Sequence, residues 1–283
     1  MTTERTATTE RTGFMAGDER DRAGKDAPGY ASPPCFMHEV DPAYFGVSES
    51  SSRSYGSQSM ALLGKAALFV WKNYTGDDED AFNEWYIREH VPERVGIPGF
   101  LRGRRYEAVS GSRKYAAFYE TVDADVLVSD TYMHFTRAPD DNTKHFISQF
   151  GDGVRSVMDI TGSAGAGAGA AASFLAFSVA EGREAALKDW AVGTLLPDLA
   201  KAPGVVGAHL LATNRDILTT SQREHLRPDD TVFDWVLMVE ATRPEELDAV
   251  RDTLLAPSAL AEHGVAREES YGVLRLLYTL SPF

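Results

Sequence analysis

Apolar runs of strand length alternate with segments of helical spacing along the first part of the folded chain. In chain order they predict strands over residues 66–73, 100–109, 114–121 and 154–161, and helices over residues 80–94 and 123–132. Residues 134–153 are less regular and carry no predicted element. The resulting order, β-α-β-β-α-β, is typical of a ferredoxin-like unit.

The same order of elements returns further along the chain. Strands are predicted over residues 174–179, 205–213, 231–241 and 271–280, and helices over residues 183–199 and 244–255. A shared set of Trp, Pro and Pro-Gly recurs at identical spacing: Trp85, Pro92 and Pro98-Gly99 in the first copy, and Trp190, Pro197 and Pro203-Gly204 in the second. This repeat predicts two tandem copies of one unit.

These patterns divide the chain into four parts. The parts are a poorly ordered N-terminal segment (residues 1–62), a first unit (63–161), a flexible Gly/Ala linker (162–172, GSAGAGAGAAA) and a second, diverged unit (173–283). Within the N-terminal segment, the island Pro33–Gly46 is interpreted as a stretch that docks on the folded body. Residues 214–230 form an irregular insertion, longer than most connections in compact domains.

Composition narrows the classes of partner and compartment. The formal net charge of -14 argues against nucleic acid and anionic membranes as partners, because both require positive surface. Cys35 is the only cysteine, so no intrachain disulfide can form, and a reducing compartment fits. Residues 1–11 lack the apolar core of a secretory signal, so we expect a cytoplasmic location.

Residues 83–94 read NEWYIREHVPER, followed by IPGF at 97–100, RRY at 104–106 and YE at 119–120. This sequence resembles the EthD-like branch of the dimeric α/β-barrel superfamily, whose pattern is a Trp-Tyr-x-x-x-His-x-Pro helix followed by a Pro-Gly-Phe turn. The resemblance covers about residues 65–160, and the second copy matches by element order and by its Trp and Pro residues. It implies an α+β fold in which two ferredoxin-like βαββαβ units pack their sheets into one barrel.

Most members of that superfamily build the barrel from two chains, whereas a tandem chain can build it internally as a pseudo-dimer. Further pairing into a homodimer stays open. The superfamily includes cofactor-free oxygenases, cyclases and dehydratases that act on aromatic polyketides, lactone isomerases, haem enzymes and proteins with no known activity. The fold alone therefore leaves the function open.

His90 is the first candidate for chemistry. The spacing of the predicted first helix places it on one side together with Phe82, Tyr86, Glu89 and Glu93. A neutral imidazole facing a pocket could remove or deliver a proton. The alternative is a structural histidine that bonds a backbone group and closes the helix end.

Other polar residues are expected around the same pocket. We predict His90, Tyr86 and Arg105 as catalytic, and a wider set as substrate-binding: Asn83, Trp85, Arg94, Tyr106, Tyr119, Tyr132 and His134. Strand alternation lets only one of Arg105 and Tyr106 face the helices. Four further histidines are interpreted as surface or loop residues: His145, His209, His225 and His263.

The second copy lacks the polar groups of the first. Leu195 stands at the position equivalent to His90, and Ala191 at the position equivalent to Tyr86. The second copy keeps the Trp, Pro and Pro-Gly residues of the shared packing frame but lacks the polar groups. This difference favours a single functional pocket in the first copy.

The leading hypothesis is an EthD-like enzyme acting on a small hydrophobic, aromatic or polyketide-type ligand. Its chemistry would be proton transfer (cyclisation, dehydration or isomerisation) or cofactor-free oxygenation, with no cofactor and no metal. One alternative is a non-catalytic ligand-binding or stress-associated barrel protein. Another is a haem-binding relative in which His134, His145 or His209 supplies the axial ligand.

Overall fold

A computed structural model of the protein describes residues 62–217 and 231–282. The strands are β1 (Ala66–Tyr74), β2 (Phe100–Gly111), β3 (Tyr115–Thr121), β4 (Phe150–Gly165), β5 (Ala171–Val179), β6 (Val205–Thr213), β7 (Trp235–Ala241) and β8 (Val265–Leu280). The predicted N-terminal segment apart from Leu62, with its Pro33–Gly46 island, and most of the insertion at 214–230 lie outside the described residues.

The helices fall at matching places in the two halves. They are α1 (Glu79–Trp85), α2 (Val91–Val95), α3 (Asp130–Arg137), α4 (Asp141–Ser148), α5 (Glu184–Trp190), α6 (Leu196–Lys201), α7 (Pro244–Arg251) and α8 (Pro257–Glu262). A π turn joins α1 to α2 at Tyr86–His90, and another joins α5 to α6 at Ala191–Leu195. In the described part of the chain, none of the helices has the length and apolar character needed to cross a membrane.

The eight strands of the described residues close into one antiparallel barrel in the order β1-β3-β2-β8-β5-β7-β6-β4. Strands β1 to β4 form one half and β5 to β8 the other. The halves meet where β2 pairs with β8 and where β4 pairs with β6. This confirms the predicted fold, in which two tandem ferredoxin-like units form a dimeric α/β barrel within one chain.

The region predicted as a flexible linker is mostly strand. Strand β4 runs on to Gly165 and pairs with β6, and β5 begins at Ala171. The small residues serve close packing, because a Cβ on Gly165 would lie 2.4 Å from the Val206 carbonyl oxygen, and its φ of +89° suits glycine. Strands β4 and β8 are both 16 residues long, because one end of each pairs with a strand of its own half and the other end pairs across a seam between the halves.

The helical predictions need two further corrections. The predicted helix over 123–132 is a 3₁₀ turn (Ala124–Val128) followed by α3, and the stretch predicted as irregular contains α4. The side of the first helix also differs, because Glu89 is exposed while Tyr86 and His90 are buried. The π turn widens the helix here, so the simple three-and-four spacing no longer applies.

Apolar packing fills both sides of the sheet. Inside the barrel, rings from both halves meet, and Phe69 stacks on Phe174 with centroids 4.8 Å apart. Outside it, the helices of each half cover their own four strands with a separate apolar cluster. A site can therefore lie within the barrel or between the sheet and the helices.

The barrel interior also holds a buried ionic cluster. Arg104 on β2 lies 2.7 Å from Glu240 on β7 and 3.2 Å from Glu120 on β3. The Nε2 atom of His209 lies 3.3 Å from Glu240 Oε1. His209 is fully buried, so its interpretation as a surface or loop residue was wrong: its side chain is on the inward face of β6.

Candidate functional site

A cavity of about 120 Å³ lies between the outer face of the first-half sheet and the helices that cover it. Its walls come from β1, β3, β4, the first π turn and helices α2 to α4. The lining residues are Leu68, Val70, Lys72, Tyr86, His90, Arg94, Tyr119, Tyr132, Thr136, Ile147, Phe150, Gly153, Val154 and Arg155. This space exceeds what a single water needs and suits a small organic molecule.

The π turn presents two side chains to the cavity. The Val91 N–H donates to the Tyr86 carbonyl five residues back, which defines the wider turn. Pro92 comes next. It has no N–H to donate to the carbonyl four residues earlier, and in a regular α-helix its ring would clash with that carbonyl. Tyr86 and His90 therefore both point inward, and both are buried.

His90 lies in an aromatic setting close to positive charge. Its ring centroid is 4.5 Å from that of Trp85 and 5.1 Å from that of Tyr86. Burial, followed by the charges of Arg94, Lys72 and Arg105, holds the pKa of His90 well below its usual value. The imidazole is neutral at pH 7, and its buried Nδ1 atom has no hydrogen-bond partner among the described residues.

Three cationic side chains line the cavity. Lys72 is buried, bonds the Tyr86 hydroxyl, and its Nζ lies 3.2 Å from the centroid of Phe150. Arg155 donates from Nη2 to the Tyr132 hydroxyl at 2.7 Å. The Arg94 guanidinium lies 5.7 Å from the centre of the Tyr132 ring. Such cations stabilise negative charge that develops on a bound oxygen.

Tyr119 and Tyr132, two of the three tyrosines that line the cavity, differ in acidity. Burial raises the pKa of Tyr119 well above its usual value, so its hydroxyl stays neutral and can donate. Burial opposes ionisation of Tyr132 as well, but the charges of Arg155 and Arg94 outweigh it and lower the pKa of that phenol. The Tyr119 hydroxyl has no hydrogen-bond partner within the described ranges.

The structure brings together five of the predicted site residues: His90, Tyr86, Arg94, Tyr119 and Tyr132. Three others support the cavity from behind. The Arg105 guanidinium lies 4.0 Å from the Tyr86 ring centre, Trp85 packs against His90, and Asn83 is 3.4 Å from the Tyr115 hydroxyl.

Two predicted site residues lie elsewhere. Tyr106 packs inside the barrel among the interior apolar residues, because alternation along β2 turns it away from the helix side that Arg105 faces. His134 is exposed on α3, since Tyr132 and Thr136 take the side of that helix that faces the cavity. Neither residue lines this cavity, which corrects their expected placement, and a role of either in substrate binding stays a prediction.

Sequence reasoning missed Lys72 and Arg155. Period-two alternation along β1 places Lys72 on the same face as Leu68 and Val70, and this signal was available in the sequence. Arg155 stands on β4 beside residues that face the barrel interior. Its role depends on the distant Tyr132, a tertiary contact that no local pattern gives.

The second half holds the matching space, which is almost filled. Strands β1 and β5 are both nine residues long, and the helices and π turns begin at equivalent positions. The counterpart cavity has a volume of about 10 Å³ and only apolar lining among the described residues. Lys72, Tyr86, His90, Arg105 and Tyr119 of the first half correspond to Phe177, Ala191, Leu195, Leu210 and Val239.

The closed barrel of two ferredoxin-like units, with a cavity between sheet and helices, defines a dimeric α/β-barrel protein. Among solved structures, the chain is similar to an anthrone oxidase-like protein, with 13% identity and a TM-score of 0.55. The match covers 78% of this chain and 95% of that chain, so it spans both halves.

Two more distant structures share the likeness. One is a ferredoxin fold protein related to antibiotic biosynthesis monooxygenases from Listeria monocytogenes, with 9% identity, 77% and 97% coverage of the two chains and a TM-score of 0.40. The other is a haem-binding protein from Thermus thermophilus, with 9% identity, 77% and 92% coverage and a TM-score of 0.46. No family model matches the sequence, and no curated protein matches it.

Proposed function

We propose that this barrel is an EthD-like enzyme that performs proton-transfer chemistry on a small hydrophobic ligand bound in the first-half cavity. One observation carries the proposal. The cavity keeps neutral His90 beside cations and phenols, whereas its counterpart in the second half is apolar and nearly filled. A purely structural demand for these groups would apply equally to both halves.

His90 would act as the general base. A neutral imidazole with a lowered pKa is ready to accept a proton at pH 7 without first losing one. The enolate or phenolate formed would be stabilised by the positive charges of Lys72 and Arg155, which line the same cavity. Cyclisation, dehydration, isomerisation and cofactor-free oxygenation can all start with this deprotonation.

The haem alternative receives little support from the residues named for it. His134 and His145 are exposed on their helices, and His209 lies inside the barrel beside Glu240. None of these three lines the cavity. Haem therefore has no part in the proposed chemistry.

The remaining expectations stay predictions. We propose a cytoplasmic location and no binding to nucleic acid or membranes, and pairing of this intrachain barrel into a homodimer is still to be measured. The net charge of -14 supports the proposed absence of binding to nucleic acid and anionic membranes.

A general probe of a base in an apolar pocket tests the function. The compound 5-nitrobenzisoxazole opens to a coloured phenolate once one proton is removed from carbon, so turnover is read by absorbance. We expect wild-type turnover, and a loss of about 100-fold in kcat/KM for His90→Gln. His134→Gln, an exposed histidine of the same half, is the control and should match the wild type.

The pH profile adds a second readout. Since the pKa of His90 lies below its usual value, wild-type kcat/KM should stay level from pH 8 to below about pH 6.5. Turnover equal in wild type and His90→Gln would overturn the proposed base. Binding of the probe without any turnover would instead favour the non-catalytic alternative.

A further inference from the structure

The charges that line the cavity are of one sign. Lys72, Arg94 and Arg155 face it, and no carboxylate is present among the described lining residues. The chain as a whole is acidic, with a net charge of -14. A cationic cavity in an acidic protein favours an anionic ligand over a neutral or cationic one.

Arg94 has hydrogen-bonding capacity that no described residue uses. Its side chain is buried, and its Nη1 atom lacks a hydrogen-bond partner in the parts of the chain that the structure covers. The Glu93 carboxylate is 3.7 Å away, too far for a hydrogen bond. A buried guanidinium left in this state is costly unless an acceptor pairs with it.

Two further polar atoms are, like Arg94 Nη1, buried with unused hydrogen-bonding capacity. The Tyr119 hydroxyl and the His90 Nδ1 atom are buried, and both lack hydrogen-bond partners within residues 62–217 and 231–282. Both residues line the same cavity as Arg94. A carboxylate has several acceptor positions, so it can bond a guanidinium and a hydroxyl together.

The rest of the cavity is apolar. Leu68, Val70, Ile147 and Phe150 line it, which suits a hydrocarbon or aromatic body. The site thus combines one polar end with one apolar end.

We propose that the ligand carries one carboxylate on an apolar body, and that Arg94 and the Tyr119 hydroxyl bind this carboxylate. The inference rests on the proposed function, because it names the ligand class of the same cavity. The apolar body lies against Leu68, Val70 and Phe150, within reach of His90.

Calorimetric titration at pH 7 with 2-naphthoate and with its neutral isostere 2-naphthamide tests the inference. We expect the carboxylate to bind wild type at least about tenfold more tightly than the amide. Arg94→Gln should weaken 2-naphthoate binding about tenfold or more while changing 2-naphthamide binding by less than about twofold. Arg88→Gln is the matched control, because Arg88 lies in the π turn that leads directly into α2, the helix of Arg94, but its side chain is 75% exposed.

Tyr119→Phe removes only a hydroxyl and provides a second variant should Arg94→Gln fail to fold. This substitution should weaken the binding of 2-naphthoate by about threefold to tenfold and leave the binding of 2-naphthamide unchanged. Equal affinity for the two ligands, or an Arg94→Gln protein that keeps the preference, would overturn the carboxylate inference and leave the proposed function standing. Failure of wild type to bind either compound would also overturn the carboxylate inference, whereas the proposed function fails only if turnover of 5-nitrobenzisoxazole does not depend on His90.

Discussion

At the scale of single residues, the surroundings of His90 determine its protonation state. Aromatic rings exclude water from the imidazole, and Arg94, Lys72 and Arg105 repel a second proton. Both effects favour the neutral form in the folded protein. In the unfolded chain the same residue returns to an ordinary pKa near 6.5, so folding and protonation are linked.

The link predicts an acid-dependent loss of stability. Because the folded pKa of His90 is depressed, its contribution is present above about pH 6.5 and is lost as pH falls toward the folded pKa. We expect the free energy of unfolding of the wild type, measured by urea titration, to drop between pH 7 and pH 5. His90→Gln should show a smaller drop, by up to about 1.4 kcal/mol per pH unit.

His134→Gln is the control for that measurement, since His134 is exposed on α3. It should reproduce the wild-type dependence. Identical slopes for wild type and His90→Gln would show that His90 titrates normally in the folded protein.

Sequence reasoning at this scale identified His90, Tyr86 and Arg94 but could not choose between a catalytic and a structural His90. The choice depends on the burial of the imidazole and on the cations around it, and Lys72 and Arg155 come from strands distant in sequence. Tyr106 and His134 were misplaced because residue type alone does not say which face of an element a side chain occupies.

At the scale of elements, the π turn is the feature that sets the site. It occurs twice, at Tyr86–His90 and Ala191–Leu195, and each time a proline follows as the second residue of the next helix. The repetition shows that the turn belongs to the packing frame of the unit. In the first half the same frame also points two polar side chains into a cavity.

Replacing Pro92 should separate the packing role of the π turn from its role in orienting side chains toward the cavity. Pro92→Ala lets the segment adopt a regular α-helix, which turns His90 and Tyr86 relative to the cavity. We expect turnover of 5-nitrobenzisoxazole to fall at least about tenfold, because small displacements of a base are costly. Thermal stability should stay near wild type or rise, since a helix hydrogen bond becomes available.

Pro197→Ala makes the same local change in the second half, where apolar residues occupy the equivalent positions. Turnover in this variant should remain within about twofold of wild type. Equal losses in the two variants would mean that the turn affects activity only through global stability.

Period-two and three-and-four patterns predicted the order of the eight strands and the repeat, but they missed helices α4 and α8. They failed at residues 162–172, because a Gly/Ala tract is typical of both flexible linkers and closely packed backbones. The close approach of Gly165 to Val206 identifies the tract as packed backbone. That contact depends on the pairing of β4 with β6, which the local sequence does not give.

At the scale of the whole molecule, the two halves share one interior. Arg104 of the first half pairs with Glu240 of the second inside the closed barrel. Burial opposes ionisation of Glu240, but the nearby His209 and Arg104 outweigh it and lower its pKa to about 2. The charged pair therefore links the halves where water is excluded.

Glu240→Gln should be destabilising by about 1–3 kcal/mol, because it removes the 2.7 Å partner of the buried Arg104 and leaves only Glu120, which Arg102 also contacts. The depressed pKa gives the sign of the pH dependence: the contribution is present above about pH 4.5 and is lost as pH falls toward 2. Denaturant titrations at pH 7 and pH 3 measure both effects.

Glu107→Gln provides the comparison, because Glu107 on β2 pairs with the exposed Arg275 on β8 and so also joins the two halves. The Glu107→Gln substitution should lower the free energy of unfolding by less than about 1 kcal/mol. A Glu240→Gln protein as stable as wild type at pH 7 would contradict the importance of the buried pair.

The central claim is that a symmetric frame carries one functional cavity, in the first half. Turnover of 5-nitrobenzisoxazole and melting temperature, measured side by side in wild type, His90→Leu and Leu195→Ala, test it most directly. We predict that His90→Leu loses about 100-fold in kcat/KM at a melting temperature near that of wild type. Leu195→Ala should lose about 2–5 kcal/mol of stability and keep its turnover while folded. Unchanged turnover in His90→Leu, or lost turnover in folded Leu195→Ala, would contradict the claim.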